Sequence, residues 1–262
     1  MDDRPVGMFD SGVGGLSILG SFRRLAPNER AVYFADTAWF PYGPRPPAEV
    51  RKRSFAVTHR LLQAGVKLIV VACNTASAAA ISDLREAFDV PFVGMVPGVK
   101  PAAAQSRSRH VAILATEGTL DGELYARVVD DFGRGATISA VAGSGLAELV
   151  ERGEAGTETA RAALRRVLGR EIEAGADTVV LGCTHYHFLA ADIEAAFPGV
   201  TIVDTSEAVA RRAVQVLDER GLRAPEGAAG ALDLIVSGDR AAFDAALERI
   251  GFHRGVPREV GV

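Results

Sequence analysis

Cysteine is nearly absent: Cys73 and Cys183 are the only two in the chain. Two thiols make no disulfide framework, and in a reducing compartment both stay free, as inert core residues or as chemistry. Lysine is also scarce, with Lys52, Lys67 and Lys100 alone among many arginines. None of the three follows a strand near a cysteine, which leaves a pyridoxal phosphate Schiff base without a seat, and no cofactor is expected. Long apolar runs are missing, since no stretch approaches the roughly 20 residues that span a bilayer. The opening "MDDRPVGMFD" lacks the basic-then-apolar layout of a signal peptide. Positive charge is not in excess either, the net charge being −4. These absences argue against membrane and nucleic-acid partners and lead to the expectation of a cytoplasmic protein.

What is present is an ordinary globular balance: 48% hydrophobic and 24% charged residues in 262, enough for one large domain or two of usual size. Short β-branched runs alternate with Ala/Leu/Arg helical patterns, the mark of βα units around parallel sheets. Strands are expected near 5–9, 31–35, 67–72, 90–95, 111–115, 137–141, 177–182, 200–204 and 232–236, with helices at 48–64, 76–87, 159–174 and 206–220.

The approaches to the two cysteines align without gaps: "AGVKLIVVACNT" (64–75) with "AGADTVVLGCTH" (174–185), 110 residues on. Neighbouring pieces fall into line, "VGMFDSG" (6–12) with "VAILATEG" (111–118) and "PFVGMV" (91–96) with "GVTIVD" (199–204). This predicts an internal duplication, two α/β halves of about a hundred residues each. The expected division is 1–97 plus 208–262 for a discontinuous first domain and 98–207 for the second.

Parallel α/β sheets bind ligands at the carboxyl ends of their strands, where loops and helix N-termini supply N–H donors. Both cysteines stand at such ends, as do "DSG" (10–12) and "ATEGT" (115–119). Taken singly, each cysteine reads as a buried core residue; the pair at equivalent positions points to chemistry. A disulfide oxidoreductase would place its thiols in one Cys-x-x-Cys. A phosphatase would want an arginine six residues past its cysteine, where Ala79 and Leu189 stand. Racemisation needs two bases, one for each face of a stereocentre.

Other motifs carry weaker signals. "CTHYH" (183–187) could be a metal cluster of Cys183, His185 and His187, without an evident fourth ligand; His185 could instead assist proton transfer, and His187 could be mere packing or surface. "FDSGVGGLS" (9–17) lacks both dinucleotide and Walker patterns, leaving a nest of N–H donors rimmed by Asp10 and Ser11, or simply a tight turn. "WFPYGPRPP" (39–47) is a rigid loop whose Tyr42–Gly43 backbone could cap a carboxylate.

The blocks "GMFDSGVGGLSIL", "YFADTAWFPYGPRP", "VVACNTASA", "VGMVPGVKPA", "ILATEGTL", "VLGCTHYHFL", "VDTSEAVARR" and "SGDRAAFDAAL", in this order, resemble the glutamate racemases of the aspartate/glutamate racemase superfamily. The resemblance implies two pseudo-symmetric flavodoxin-like α/β domains with the active site in the cleft between them. It implies cofactor-independent interconversion of L- and D-glutamate, supplying D-glutamate for peptidoglycan, and a homodimer as the one protein partner it suggests. On matching positions Cys73 and Cys183 would be the acid–base pair, with Asp10 assisting the first and His185 the second. Ser11, Tyr42, Gly43, Asn74, Thr75 and Thr184 would bind substrate, joined by Asp10, His185, Thr116 and Thr119, and Glu151 would lie near His185. No metal is implied. The chain departs from the pattern at His187 in place of Pro, at Phe188 and Trp39, and in "AVAGSGLAEL" (140–149), which lacks the usual Cys-Pro. The N-terminal extension tied to precursor activation in some members is missing, which speaks against that regulation. The rival readings are a racemase of aspartate or a hydantoin, and a two-domain small-anion binding protein with incidental thiols.

Overall fold

The computed structural model describes residues 1–133 and 135–252. The first half runs β1 (Val6–Asp10), α1 (Leu16–Leu25), β2 (Ala31–Ala35), α2 (Pro47–Gln63), β3 (Leu68–Val71), α3 (Asn74–Ala87) and β4 (Phe92–Val93). The second runs α4 (Val99–Gln105), β5 (His110–Ala115), α5 (Glu117–Leu120), α6 (Glu123–Phe132), β6 (Thr137–Ala142), α7 (Leu146–Glu151), α8 (Glu158–Glu173), β7 (Thr178–Gly182), a 3₁₀ segment (Thr184–Leu189), α9 (Ala190–Ala196) and β8 (Thr201–Val203). The chain closes with α10 (Ser206–Glu219), β9 (Leu232–Val236) and α11 (Arg240–Arg249).

Two wholly parallel sheets result, ordered β4-β3-β1-β2-β9 and β6-β5-β7-β8. The first four strands of each half therefore share one order, as the aligned segments predict. Parallel sheets are covered on both faces, which is why the central strands read as unbroken apolar runs such as "LIVV" in β3 and "TVVLG" in β7, buried throughout. Helix α10 packs on α1 and brings the chain back to the first sheet, where β9 pairs with β2 from Ala31↔Leu232 to Ala35↔Val236. Residues beyond 252, part of the stretch assigned to the first domain, lie outside the described residues. No helix among the described residues is long and apolar enough to cross a membrane.

Two boundaries differ from expectation. The strand expected over 90–95 shrinks to Phe92–Val93, because Pro91 has no N–H to give and Gly94 and Pro97 break the extension on the other side. The helix expected from residue 76 begins at Asn74 with Cys73 as its N-cap, which puts the thiol at the helix mouth.

In each half the chain leaves its first strand to one side and returns to the other. The crevice of reversal falls between β1 and β3 in the first sheet and between β5 and β7 in the second. Asp10 and Cys73 end the first pair; Thr116 and Cys183 follow the second.

At the opposite end of the first sheet, Lys67 and Glu29 form an ion pair at 2.7 Å with side chains 0% and 1% exposed. Lys67 Nζ also donates to the Asp2 carbonyl. Glu29 also keeps Arg223 Nε at 3.6 Å and accepts from the Ala224 N–H at 2.8 Å, so Lys67→Met is expected to cost about 1–3 kcal/mol in urea unfolding rather than the full cost of a stranded charge. A loss below about 1 kcal/mol would mean that Arg223 takes over the pairing with Glu29.

Candidate active site

Cys73 leaves β3 with φ −147° and ψ 122°, and Cys183 leaves β7 with φ −145° and ψ 139°. The repeat thus delivers both thiols in the same extended conformation, each at the head of a helical segment whose first N–H groups are free of intrahelical partners. Both open onto one cavity of about 170 Å³ between the two halves. Asp10, Ser11, Tyr42, Gly43, Thr75, Thr116, Thr184 and His185 line it with them.

Asn74 and Thr119, expected with these, are not part of that wall. Asn74 is buried beside Cys73 with neither side-chain amide atom paired, an arrangement that favours a ligand presenting both donors and acceptors. Thr119 is buried and joins a hydroxyl cluster across the halves: Thr75 Oγ1 lies 2.8 Å from Thr116 Oγ1, which lies 2.9 Å from Thr119 Oγ1.

The two thiols sit in unlike fields. Burial pushes the Cys73 thiol well above the usual cysteine range; the Asp10 carboxylate adds to this and the Ala76 N–H opposes it. Asp10 is fully buried, its Oδ2 accepting from Gly15 N–H at 2.9 Å and from the Thr184 hydroxyl at 3.4 Å, its Oδ1 unpaired. On the other wall Cys183 Sγ is 4.0 Å from His185 Nδ1, and His185 Nε2 is 2.8 Å from Glu151 Oε1. Burial works against the imidazolium, yet contacts with Cys183 and Glu151, and the charge of Asp10, hold His185 well above its ordinary value. One thiol therefore faces an anion and the other a cation.

The glycine-rich loop after β1 commits two of its N–H groups to carboxylates of the protein itself. Its Val13 N–H is spent on Glu151 Oε1 at 2.8 Å and its Gly15 N–H on Asp10. A Cβ on Gly12 would sit 1.9 Å from Glu151 Oε1. The glycines admit the second half's carboxylate and imidazole to the backbone of the first.

Tyr42 is fixed from behind, its hydroxyl donating to Asp36 Oδ2 at 2.5 Å, while Arg53 grips the same carboxylate and lies 5.3 Å over the Trp39 ring. That use of the hydroxyl leaves the Tyr42–Gly43 backbone facing the cavity, and Gly43 O accepts from Gly118 N–H at 3.1 Å across the halves.

Sequence reasoning missed part of the wall. Phe40 lies with its ring centroid 5.4 Å from that of His185, and Glu117, Gly143, Ser144, Ala147, Glu148 and Tyr186 also line the cavity. The 143–148 stretch was legible as the loop after a strand end, the place where parallel sheets bind. His187 turns away: its Nδ1 bonds Ser17 and Ser206, so Cys183, His185 and His187 do not form one ligand set.

Comparison with known proteins bears on the family and the fold. The family model described as Asp/Glu/Hydantoin racemase matches residues 17–213. A glutamate racemase of Herpetosiphon aurantiacus is 46% identical over 244 residues, covering 93% of this chain and 96% of its own. The crystal structure of glutamate racemase from Thermus thermophilus in complex with β-chloro-D-alanine superposes with a TM-score of 0.84 at 40% identity, over 100% of this chain and 99% of that one. The Escherichia coli glutamate racemase, in complex with L-glutamate and the activator UDP-MurNAc-Ala, gives 0.82 at 34% identity over 95% and 96% of the two chains.

Proposed function

The chain belongs to the Asp/Glu/hydantoin racemase family, and we propose that it interconverts L- and D-glutamate by a two-base reaction in which Cys73 and Cys183 exchange protons with opposite faces of Cα. The observation that carries this is the pair of thiols, delivered by equivalent strand ends to one cavity and set in opposite fields. Relatives at 43–47% identity are glutamate racemases, which supports glutamate over aspartate or a hydantoin.

In the forward direction a thiolate on one wall takes the α-proton, breaking the C–H bond and leaving its electron pair delocalised into the carboxylate. The thiol on the other wall returns a proton to the opposite face of the same carbon. The thiol and thiolate have then traded states, and the free enzyme must exchange protons before it acts again in the same sense. Asp10 beside Cys73 and His185 beside Cys183 are the carriers placed for that exchange. Charge building on the substrate carboxylate calls for fixed donors in a dry site. The hydroxyls of Ser11, Thr75, Thr116 and Thr184, the Tyr42–Gly43 backbone and the unpaired amide of Asn74 fit this need. The D-glutamate formed supplies peptidoglycan synthesis in the cytoplasm.

The test is incubation of the purified chain with L-glutamate in D₂O, without added cofactor, following optical rotation and the α-proton signal. Loss of rotation together with deuterium at Cα is the expected result. Exchange of aspartate but not glutamate would keep the mechanism and replace the substrate. No exchange of either by folded protein would leave the anion-binding reading in its place.

A further inference from the structure

His187 is buried, and the racemisation chemistry does not use it. Its Nδ1 lies 3.1 Å from Ser17 Oγ on α1 and bonds Ser206 Oγ at the start of α10. Asp204 Oδ1 stands 3.5 Å away and is half exposed. The Ser17 hydroxyl donates onward to the Gly14 carbonyl at 3.0 Å. Gly14 in turn is in direct contact with the site: a Cβ there would come within 2.5 Å of His185 Nδ1 and of Thr184 Oγ1. These contacts close a circuit. Gly14 and Ser17 lie on one short strip of the first half, and His185 and His187 lie on one short strip of the second. The strips touch at the front, Gly14 against His185, and at the back, Ser17 against His187.

The halves also meet at Val13–Glu151, Thr75–Thr116 and Gly43–Gly118, and the Ser17–His187 contact adds a further point behind His185 that restrains their rocking. We infer that His187 is a positioning residue for the Cys183 half of the site, its ring forming the rear point of the clamp that sets His185 and Thr184 against the glycine-rich loop. The inference rests on the reading of Cys183 and His185 as one acid–base half.

The clamp is built for a neutral ring. Nε2 is buried without a partner, so protonation would put an unsatisfied N–H and a charge in the interior. Burial accordingly holds His187 below its usual value, with Asp204 and Asp10 opposing and His185 reinforcing. These groups face it from the crossover before α10, from the end of β1 and from its own segment. Two imidazoles two residues apart are thus pushed in opposite directions, His185 toward the charged form and His187 toward the neutral one. Acidification below the ordinary histidine range charges His187, sets a second cation beside His185 and loosens the clamp.

The test uses three forms of the full chain. In His187→Ala, kcat is expected to fall about 10- to 100-fold with KM little changed, since angle rather than substrate contact is lost. In His187→Asn, whose amide nitrogen occupies the place of Nδ1 and does not titrate, most of the activity returns and the acid limb of the profile shifts to lower pH, leaving only the part set by the catalytic groups. Backbone hydrogen exchange reads the clamp without turnover: the Val13 and Gly15 amides exchange about tenfold faster in the alanine variant than in the unmutated chain. Unchanged kcat with a lowered Tm would make His187 a packing residue only and overturn the inference, as would unchanged exchange at both amides. Should the unmutated chain fail to racemise, the function assigned above falls, and hydrogen exchange alone still decides the clamp.

Discussion

Alanine at Cys73 or at Cys183 removes racemisation, with kcat falling about 10²- to 10⁴-fold, while glutamate still binds. Both thiols are at most 7% exposed and each is part of an apolar cluster, so the loss of one sulfur leaves a small cavity rather than a collapsed site. The finer expectation concerns stereochemistry. A variant with one base left can take a proton from its own face and return one to that face only. Each single variant should therefore exchange the α-proton of one enantiomer with solvent deuterium, without inverting it, and the two variants should choose opposite enantiomers. Chiral separation after incubation in D₂O, with calorimetric titration for binding, checks both halves. Full turnover in either alanine variant would end the two-base arrangement, whereas intact binding without any exchange, even in the unmutated chain, would favour an anion-binding protein.

What the sequence made legible was whatever depends on neighbours along the chain. Cys73 and Cys183 stand out because a gapless repeat places each at the end of an apolar run, and a strand followed by a helix leaves few choices for where such a residue points. The equivalence of β3 with β7 needs no knowledge of distant contacts. Contacts between the halves are another matter. Gly12 and Gly14 announce only that something comes close, and the something is Glu151 and His185, whose link to the loop through Val13 spans 138 residues. Likewise His187 reads as surface or packing from its own segment, because its partner Ser17 lies 170 residues away. The length of β4 is set locally: the apolar pattern runs over 90–95, and Pro91 and Gly94 stop the strand at both ends.

Gly14→Ala is the substitution whose size least resembles its effect. A methyl at this position lies 2.5 Å from His185 Nδ1, 2.5 Å from Thr184 Oγ1 and 2.8 Å from Asp10 Oδ2. Two of the three cannot step aside cheaply. His185 is tied to Glu151 at 2.8 Å and flanked by Phe40, and Asp10 Oδ2 is held by Gly15 N–H at 2.9 Å. The clash with His185 and Thr184 is relieved by parting the two halves, which separates the thiols from each other and admits water, while the clash with Asp10 stays within the first half and strains the loop itself. A displacement of this kind is expected to lower kcat about 10²-fold. Gly65→Ala supplies the contrast, because Gly65 has φ +74° and nothing within 4 Å of its added Cβ. There the cost is backbone strain of about 1–2 kcal/mol in stability, with kcat intact. Measuring kcat and urea unfolding for both variants separates the two causes. If Gly14→Ala keeps its turnover, then the Asp10–Thr184–His185 contact yields to a methyl group, and the rate cannot depend on how tightly the halves close.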